Sequence, residues 1–235
     1  MESWTSRTEL LLGKERLDYL QSKHVLIVGV GGVGAYAAEM VCRAGIGKIT
    51  IVDGDTVQPS NINRQLIALH STTQQPKVEV LKQRLLDINP KLILQSKFEY
   101  LQDECIPKLL DADSYDFVID SIDTIAPKVL LISHALMRDL KIVSSMGAGG
   151  KTDPTKVSVA DIADTYHCSL AKVIRKRLRH MQVNRKLPVV FSSEPVNKEA
   201  IVLANEKHKK STVGTISYIP AIFGCYLASY VIRNL

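Results

Sequence analysis

The stretch VLIVGVGGVGAYAAEM, residues 25–40, contains the glycine pattern that decides the fold of this 235-residue chain. An apolar run precedes the glycines and a helical pattern follows them, so we expect a strand, a tight turn and a helix. Gly29, Gly31 and Gly34 form G-x-G-x-x-G, with Gly32 inside it. The N–H groups at such a helix start can bind an anion, so the pattern predicts a phosphate loop. Glycines that serve only helix–strand packing are the alternative.

An acidic residue stands where a nucleotide site would use it. Asp53 closes the next apolar run, KITIVD, at residues 48–53. A carboxylate at the end of that strand would accept hydrogen bonds from ribose hydroxyl groups. The loop and Asp53 together predict nucleotide binding and leave the identity of the nucleotide open.

Apolar runs and helical patterns alternate along the chain. This alternation predicts a Rossmann-like, doubly wound α/β fold with a mostly parallel sheet and a mixed C-terminal extension. The polar segment 192–214 is interpreted as a long crossover loop. The expected strands are 24–30, 48–53, 92–98, 115–120, 141–146, 155–162 and 187–193, and the expected helices are 33–44, 77–88 and 128–139.

Composition and charge indicate one domain. With 46% hydrophobic residues, the chain can bury a substantial core, and no linker is visible. We expect a single domain over residues 1–235, with a nucleotide-binding core over about 22–150 and a substrate-binding portion over about 151–235. Lys and Arg number 30 against 24 Asp and Glu, a modest excess that favours polyanionic ligands.

The residues after Asp53 are unusual for a dinucleotide site. A second acid, Asp55, follows at once, and it would repel a pyrophosphate group unless a cation mediates. Asn61 and Arg64 can hold phosphate oxygens, and Lys77 near a helix start adds a positive charge. The set predicts a triphosphate site. Individually, Arg64 could be a surface ion pair, Lys77 solvated and Asp55 a turn former.

A further carboxylate lies at the end of another expected strand. Asp123 follows VIDSI, and the carboxyl ends of parallel strands are where open α/β sheets bind ligands. Asp123 would contact the same phosphates through Mg²⁺. Arg64 and Lys77 would neutralise charge that builds up during attack on the α-phosphorus, while Mg²⁺ would stabilise the departing pyrophosphate.

Four motifs, GVGGVG, DGDTVQPSNINRQ, PKVE and DSIDT, resemble those of the ubiquitin-activating-enzyme superfamily of adenylate-forming proteins. The resemblance implies that a substrate carboxylate attacks ATP to give an acyl-adenylate. It also implies that Asp53 binds ribose, that Asn61, Arg64 and Lys77 bind phosphates, and that Asp123 binds Mg²⁺. Asp55 and the four glycines complete the nucleotide-binding set.

The resemblance begins near Arg7 and runs to about Gly150. Arg7 matches an N-terminal arginine that, in the superfamily, reaches into the site of the partner subunit. The match implies a homodimer in which Arg7 joins Arg64, Lys77 and Asp123 as a catalytic residue. An ordinary arginine on a helix surface is the alternative.

The cysteines distinguish between branches of the superfamily. Its adenylyltransferases for sulfur-carrier proteins characteristically have two C-x-x-C pairs that bind zinc, whereas the four cysteines here form no such pair. We therefore expect ATP and Mg²⁺ but no zinc. The second half resembles the tRNA threonylcarbamoyladenosine dehydratases instead, on the stretches 144–162, 170–179, 189–195 and 212–229. That likeness implies activation of the threonyl carboxylate of a modified adenosine, followed by ring closure with release of AMP.

A basic stretch agrees with tRNA as the partner, and we expect no DNA binding. On a helix, Lys172, Arg175, Lys176 and Arg179 fall on one face, and with Arg177 we expect them to bind tRNA. A helix that is merely solvated is the alternative. The sequence leaves open whether a sulfur-transfer protein is also a partner.

Three other functions remain open at this point: adenylation of a small carrier protein, NAD-dependent oxidoreduction, and tRNA binding without catalysis.

The N-terminus lacks the apolar region of a signal peptide, so we expect a cytoplasmic protein. Residues 216–232 carry no charge, and we interpret them as a buried helix. Peripheral or C-terminal membrane association is not favoured.

Overall fold

A computed structural model describes residues 3–206 and 209–235, and for 203–206 and 209–211 it describes the backbone alone. Seven strands form one sheet: β1 (His24–Val28), β2 (Lys48–Val52), β3 (Ile93–Lys97), β4 (Phe117–Asp120), β5 (Ile142–Ser145), β6 (Val157–Asp161) and β7 (Pro188–Ser192). Their order is β3-β2-β1-β4-β5-β7-β6. Every neighbouring pair is parallel except β6 with β7, which is antiparallel. The predicted mostly parallel sheet with a mixed extension is confirmed.

Helices cover both faces of the sheet. The eight α-helices are α1 (Ser6–Leu12), α2 (Lys14–Gln21), α3 (Gly34–Arg43), α4 (Lys77–Ile88), α5 (Cys105–Asp111), α6 (Ile125–Met137), α7 (Ser169–His180) and α8 (Tyr218–Asn234) within the described ranges. Because side chains alternate along a strand, Ile27 joins the core under α3, α4 and α8. Leu26 and Val28 join the core under α5, α6 and α7. Burial of alternate residues on both faces produces the doubly wound arrangement.

Some helices differ from the sequence expectation. α6 begins at Ile125 and not at Lys128, with Pro127 in its first turn. Proline is tolerated there because the first N–H groups of a helix have no partner within the helix. α5 was not predicted, since it is short and Pro107 interrupts its pattern. The helix expected over 77–88 has those bounds.

The crossover loop expected over 192–214 is wrong for much of its length. β8 (Ile201–Glu206) and β9 (Lys209–Val213) form a separate antiparallel hairpin. Pairing of this kind is made by backbone hydrogen bonds and does not require apolar side chains at alternate positions, so a polar sequence conceals it. The hairpin is anchored at its base, where Gly150 N donates to Gly214 O at 2.8 Å.

The uncharged segment near the C-terminus forms most of α8, which packs against α3. Ile219, Phe223 and Leu227 are buried on that side. No helix in the described ranges has the length and apolar character that crossing a membrane requires. Gly224 permits the close contact, because a Cβ there would lie 2.6 Å from the carbonyl oxygen of Val33.

We therefore expect Gly224→Ala to destabilise the fold by about 1–3 kcal/mol, because overpacking at a backbone contact outweighs the gain in helix propensity. Urea unfolding followed by circular dichroism measures the loss. Ser229→Ala, at an exposed position of the same helix, is the matched control and should change stability by less than about 0.5 kcal/mol. Equal stability of the two variants would contradict the close packing of α8 on α3.

Candidate active site

The glycine loop connects β1 to α3, and two of its glycines are required by packing. Gly29 has a φ of +85°, and a Cβ on it would lie 2.8 Å from the carbonyl oxygen of Ser121. A Cβ on Gly34 would lie 1.8 Å from the carbonyl oxygen of Gly29. At these two positions the packing interpretation of the glycines therefore holds.

Gly31 is different, because no protein contact requires a glycine there. A Cβ on Gly31 would meet the Gln65 side chain at 3.7 Å, an ordinary van der Waals distance. At Gly32 the nearest atom would be Cβ of Pro220, at 3.2 Å, where α8 approaches the loop. Packing therefore does not explain the glycine at position 31, which lies just before α3, where a helix N-terminus can bind phosphate.

Two polar atoms beside this loop are also available to a ligand. Gln65 Oε1 and Ser121 Oγ are buried and have no hydrogen-bond partner among the residues that the structure describes. Gln65 borders Gly31, and Ser121 borders Gly34. Buried polar atoms nearly always have a partner, so both atoms can form a hydrogen bond with a polar ligand or with water at this loop.

Asp53, directly after β2, is held by the backbone of the glycine loop and of its own turn. Its Oδ2 accepts a hydrogen bond from Val30 N at 2.8 Å, and its Oδ1 accepts one from Asp55 N at 2.8 Å. Burial raises the pKa of Asp53, while the nearby ammonium of Lys77 acts in the opposite direction. Each carboxylate oxygen retains a second lone pair that can accept a ribose hydroxyl.

Asp55 does not need an added cation to neutralise it. Lys77 Nζ lies 2.8 Å from Asp55 Oδ2, and Lys77 itself is buried. Tyr100, which the sequence analysis missed, donates its hydroxyl to Asp55 Oδ1 at 2.8 Å. The ring of Tyr100 also covers Gly54, where a Cβ would lie 2.6 Å from the ring. The carboxylate of Asp55 therefore positions the Lys77 ammonium through an ion pair.

Arg64 and Asn61 lie on the segment that follows. Asn61 is buried, and its Oδ1 accepts from Gln58 N at 3.0 Å. Arg64 Nη1 donates to the carbonyl oxygen of Ser60 at 2.8 Å and to the side chain of Asn63. Burial lowers the pKa of the Arg64 guanidinium, and the carboxylate of Asp123 acts in the opposite direction. The fold thus brings Arg64 and Asp123, which are distant in sequence, within electrostatic range.

The turn that contains Asp123 is stabilised by a buried ion pair that the sequence analysis did not predict. Lys128 Nζ lies 2.7 Å from Asp120 Oδ2, and both side chains are fully buried. Lys128 also donates to the carbonyl oxygen of Ile122 at 3.0 Å, and Ser144 Oγ donates to Asp120 at 2.6 Å. These contacts fix the turn from Ser121 to Asp123. A lysine inside the apolar pattern IAPKVLLIS was the available signal.

The basic residues of α7 divide into three groups. Lys172, Lys176 and Arg179 are exposed. They line a concave surface that encloses a volume of about 450 Å³. Arg175 also lines it, but its Nη1 donates to the carbonyl oxygens of Ile162 and Thr165, both at 2.8 Å, and so fastens the helix to the preceding turn. Arg177 faces away from this surface and lines a separate groove.

Arg7 lies exposed on α1, a helix that buries none of its described residues. Within residues 3–206 and 209–235, no three His, Cys, Asp or Glu side chains converge as a metal site. Asp123 is exposed at the carboxyl edge of the sheet, beside the phosphate loop. A single carboxylate fits Mg²⁺ that is held mainly by substrate phosphates and water, as is usual for this ion.

Comparison with known proteins identifies close relatives. The ThiF family model matches residues 5–235. A tRNA threonylcarbamoyladenosine dehydratase of Bacillus subtilis is 39% identical and covers 98% of this chain and 93% of that protein. The crystal structure of the E. coli tRNA N6-threonylcarbamoyladenosine dehydratase in complex with ATP has a TM-score of 0.90 at 31% identity, covering 100% of this chain and 95% of that chain. An E. coli molybdopterin-synthase adenylyltransferase is 32% identical but covers 64% of this chain and 60% of that protein.

The loop geometry predicts opposite outcomes for two glycine-to-alanine changes. Gly31→Ala should change stability by less than about 0.5 kcal/mol, because the new methyl group meets no protein atom closely. It should weaken ATP binding at least about tenfold, because the methyl group occupies space where the backbone approaches phosphate.

Gly34→Ala should instead lose at least about 3 kcal/mol of stability, since its Cβ would collide with backbone. Thermal unfolding and isothermal titration calorimetry with ATP measure both effects, with NAD titrated in parallel. Full ATP affinity in a well-folded Gly31→Ala variant would place the nucleotide elsewhere.

Proposed function

The chain belongs to the ThiF family, and within that family we propose that it is an ATP-dependent tRNA threonylcarbamoyladenosine dehydratase. In this reaction, the threonyl carboxylate of the modified adenosine attacks the α-phosphorus of ATP. The bond to the bridging oxygen breaks and pyrophosphate leaves. The neighbouring carbamoyl group then attacks the activated carbonyl carbon, loses a proton and displaces AMP, so that the base has lost one water.

The observation that carries the proposal is the extent of the likeness. The Bacillus subtilis dehydratase matches 98% of the chain, which includes the portion after Gly150, whereas the adenylyltransferase relative matches 64% of it. The two functions share the activation of a carboxylate by ATP and differ in the carboxylate. A match over both the nucleotide-binding core and the remaining portion favours the dehydratase.

We assign the following roles to residues of the site. Asp53 binds the ribose, and Asn61 holds phosphate oxygens. Arg64 and Lys77 stabilise the charge that accumulates on the phosphates during the attack, because cations fixed in a partly buried site need no reorganisation. Asp123 would hold Mg²⁺, which supplies further neutralisation of the departing pyrophosphate.

The tRNA is proposed to bind the residues after Gly150, so that about 22–150 is the nucleotide-binding core and about 151–235 the tRNA-binding portion. α7 is central to this assignment. Lys172, Lys176 and Arg179 provide exposed cations on one concave surface, and an array of this kind suits a phosphate backbone. Arg175 contributes charge to that surface while it holds the helix in position.

A homodimer is also part of the proposal, with Arg7 of each protomer reaching the site of the other. The exposed apolar residues of α1 support the homodimer, because Leu10 is 87% exposed and Leu11 is 82% exposed. Adjacent apolar side chains with this exposure are a feature of protein interaction surfaces. Because the substrate is tRNA, the proposed location is the cytoplasm.

The reaction is tested by incubating the protein with Mg-ATP and threonylcarbamoylated tRNA and then weighing the nucleosides. We expect the modified adenosine to lose one water. Asp123→Ala should slow this loss at least about a hundredfold, because the Mg²⁺ that would neutralise the departing pyrophosphate would lose its carboxylate ligand. Asp87→Ala, at an exposed carboxylate on α4, is the control and should retain wild-type rates. Stimulation of ATP–pyrophosphate exchange by a carrier protein, with unmodified nucleoside mass, would contradict the proposal.

The tRNA surface is tested by the triple variant Lys172→Ala, Lys176→Ala, Arg179→Ala. The loss of three phosphate contacts should weaken tRNA binding and reduce the slope of log affinity against log salt by about 2 to 3. ATP affinity should stay the same. A variant with Lys82, Lys91 and Lys108 changed to Ala has the same net charge and should keep the wild-type slope. An unchanged slope in the α7 variant would remove α7 from the tRNA interface.

A further inference from the structure

A groove between α6 and α7 is not used by any of the roles assigned so far. Its volume is about 330 Å³. α6 contributes Ala126, Val129 and Leu130, and α7 with the residue after it contributes Arg177, His180 and Met181. Asp103, which precedes α5, completes the rim.

The position of the groove connects it to both parts of the candidate site. Ala126 lies in the first turn of α6, three residues after Asp123, so the groove begins beside the carboxyl edge of the sheet. His180 lines this groove and also the concave surface formed by Lys172, Lys176 and Arg179. The groove and the concave surface are therefore adjacent at His180.

The chemistry of the groove suits a flat ring with a polar edge. Val129 is buried and Leu130 is half-buried, so they offer an apolar floor, and Met181 is 43% exposed above it. Arg177 and His180 are exposed on the rim and can donate hydrogen bonds, while Asp103 can accept them. Unpaired bases of RNA are recognised by apolar and guanidinium surfaces that contact the ring, with polar groups at its edge.

We propose that this groove binds an unpaired nucleobase of the tRNA, next to the modified adenosine whose carboxylate is activated. The proposal rests on the proposed function, because it takes tRNA as the substrate. It accounts for Arg177, which the sequence pattern grouped with the phosphate-binding cations but which faces the groove. α7 then serves two purposes, with phosphates on one side and a base on the other.

The groove is tested by filling it. Ala126→Trp places an indole ring in the groove from an exposed position, and Ala112→Trp, at an exposed alanine outside it, is the matched control. Affinity for a threonylcarbamoylated anticodon stem-loop RNA is measured across a range of KCl concentrations. Ala126→Trp should weaken binding at least about tenfold, the value of one lost base contact, without changing the salt slope. The exposed truncation Met181→Ala should do the same to a smaller extent, and it provides the test if the tryptophan variant does not fold.

The RNA side of the contact identifies the base. A series of stem-loops, each with one abasic nucleotide in the loop, should contain one whose affinity for the wild-type protein falls about tenfold. The same abasic RNA should lose no further affinity for Ala126→Trp, because the contact is already absent. The proposal would be overturned if every abasic RNA lost as much affinity for Ala126→Trp as for the wild-type protein. It would also be overturned if Ala126→Trp bound the threonylcarbamoylated stem-loop without an abasic nucleotide as tightly as Ala112→Trp does.

Loss of water from the full tRNA is measured on the wild-type protein in parallel. The coupling of interest is between an abasic nucleotide and Ala126→Trp in their effects on RNA affinity. If water is lost but this coupling is absent, the groove proposal fails and the proposed function stands. If coupling is found without loss of water, the groove binds a base and the proposed function fails.

Discussion

The buried pair of Lys128 and Asp120 is the contact on which the geometry of the site depends. It joins α6 to the end of β4, and through Ser144 it extends to β5. Burial of two charges costs free energy that their attraction repays only with good geometry and further hydrogen bonds, and both are present here. The turn that this pair fixes contains Ser121, which contacts the glycine loop, and Asp123, which interacts with Arg64. The positions of the phosphate loop and of the exposed carboxylate are therefore set together.

The electrostatics of the nucleotide side follow from one lysine between two acids. Lys77 pairs directly with Asp55 and acts at longer range on Asp53, whose burial raises its pKa. Without that ammonium, two neighbouring carboxylates would oppose the approach of a polyphosphate. Tyr100 holds the other oxygen of Asp55, so the acid cannot turn towards the ligand without losing this hydrogen bond. The second acid, which is out of place in a dinucleotide site, thus fixes the position of the Lys77 ammonium.

The sequence predicted the sheet well because most of its strands are short apolar runs, and each predicted run contains an observed strand. It failed where the stabilising groups lie outside the local pattern. Tyr100 is distant in sequence from Asp55, and spacing alone does not reveal their contact. The same holds for Arg175, where helical periodicity gave the correct face but not its bonds to the carbonyl oxygens of Ile162 and Thr165. Lys128 was visible as a charge in an apolar helix, but its partner became evident only with the strand order.

The residues before and after Gly150 share one sheet. β7 pairs with β5, so residues after Gly150 extend the sheet that carries the nucleotide loop. Lys151 strengthens the connection: its buried ammonium donates to the carbonyl oxygens of His167 and Ser192, at 3.3 and 3.2 Å, and to that of Glu194. His167 immediately precedes the N-cap of α7. The start of the basic helix is therefore fixed to the loop after β5, which continues the strand next to β4 and its turn with Asp123.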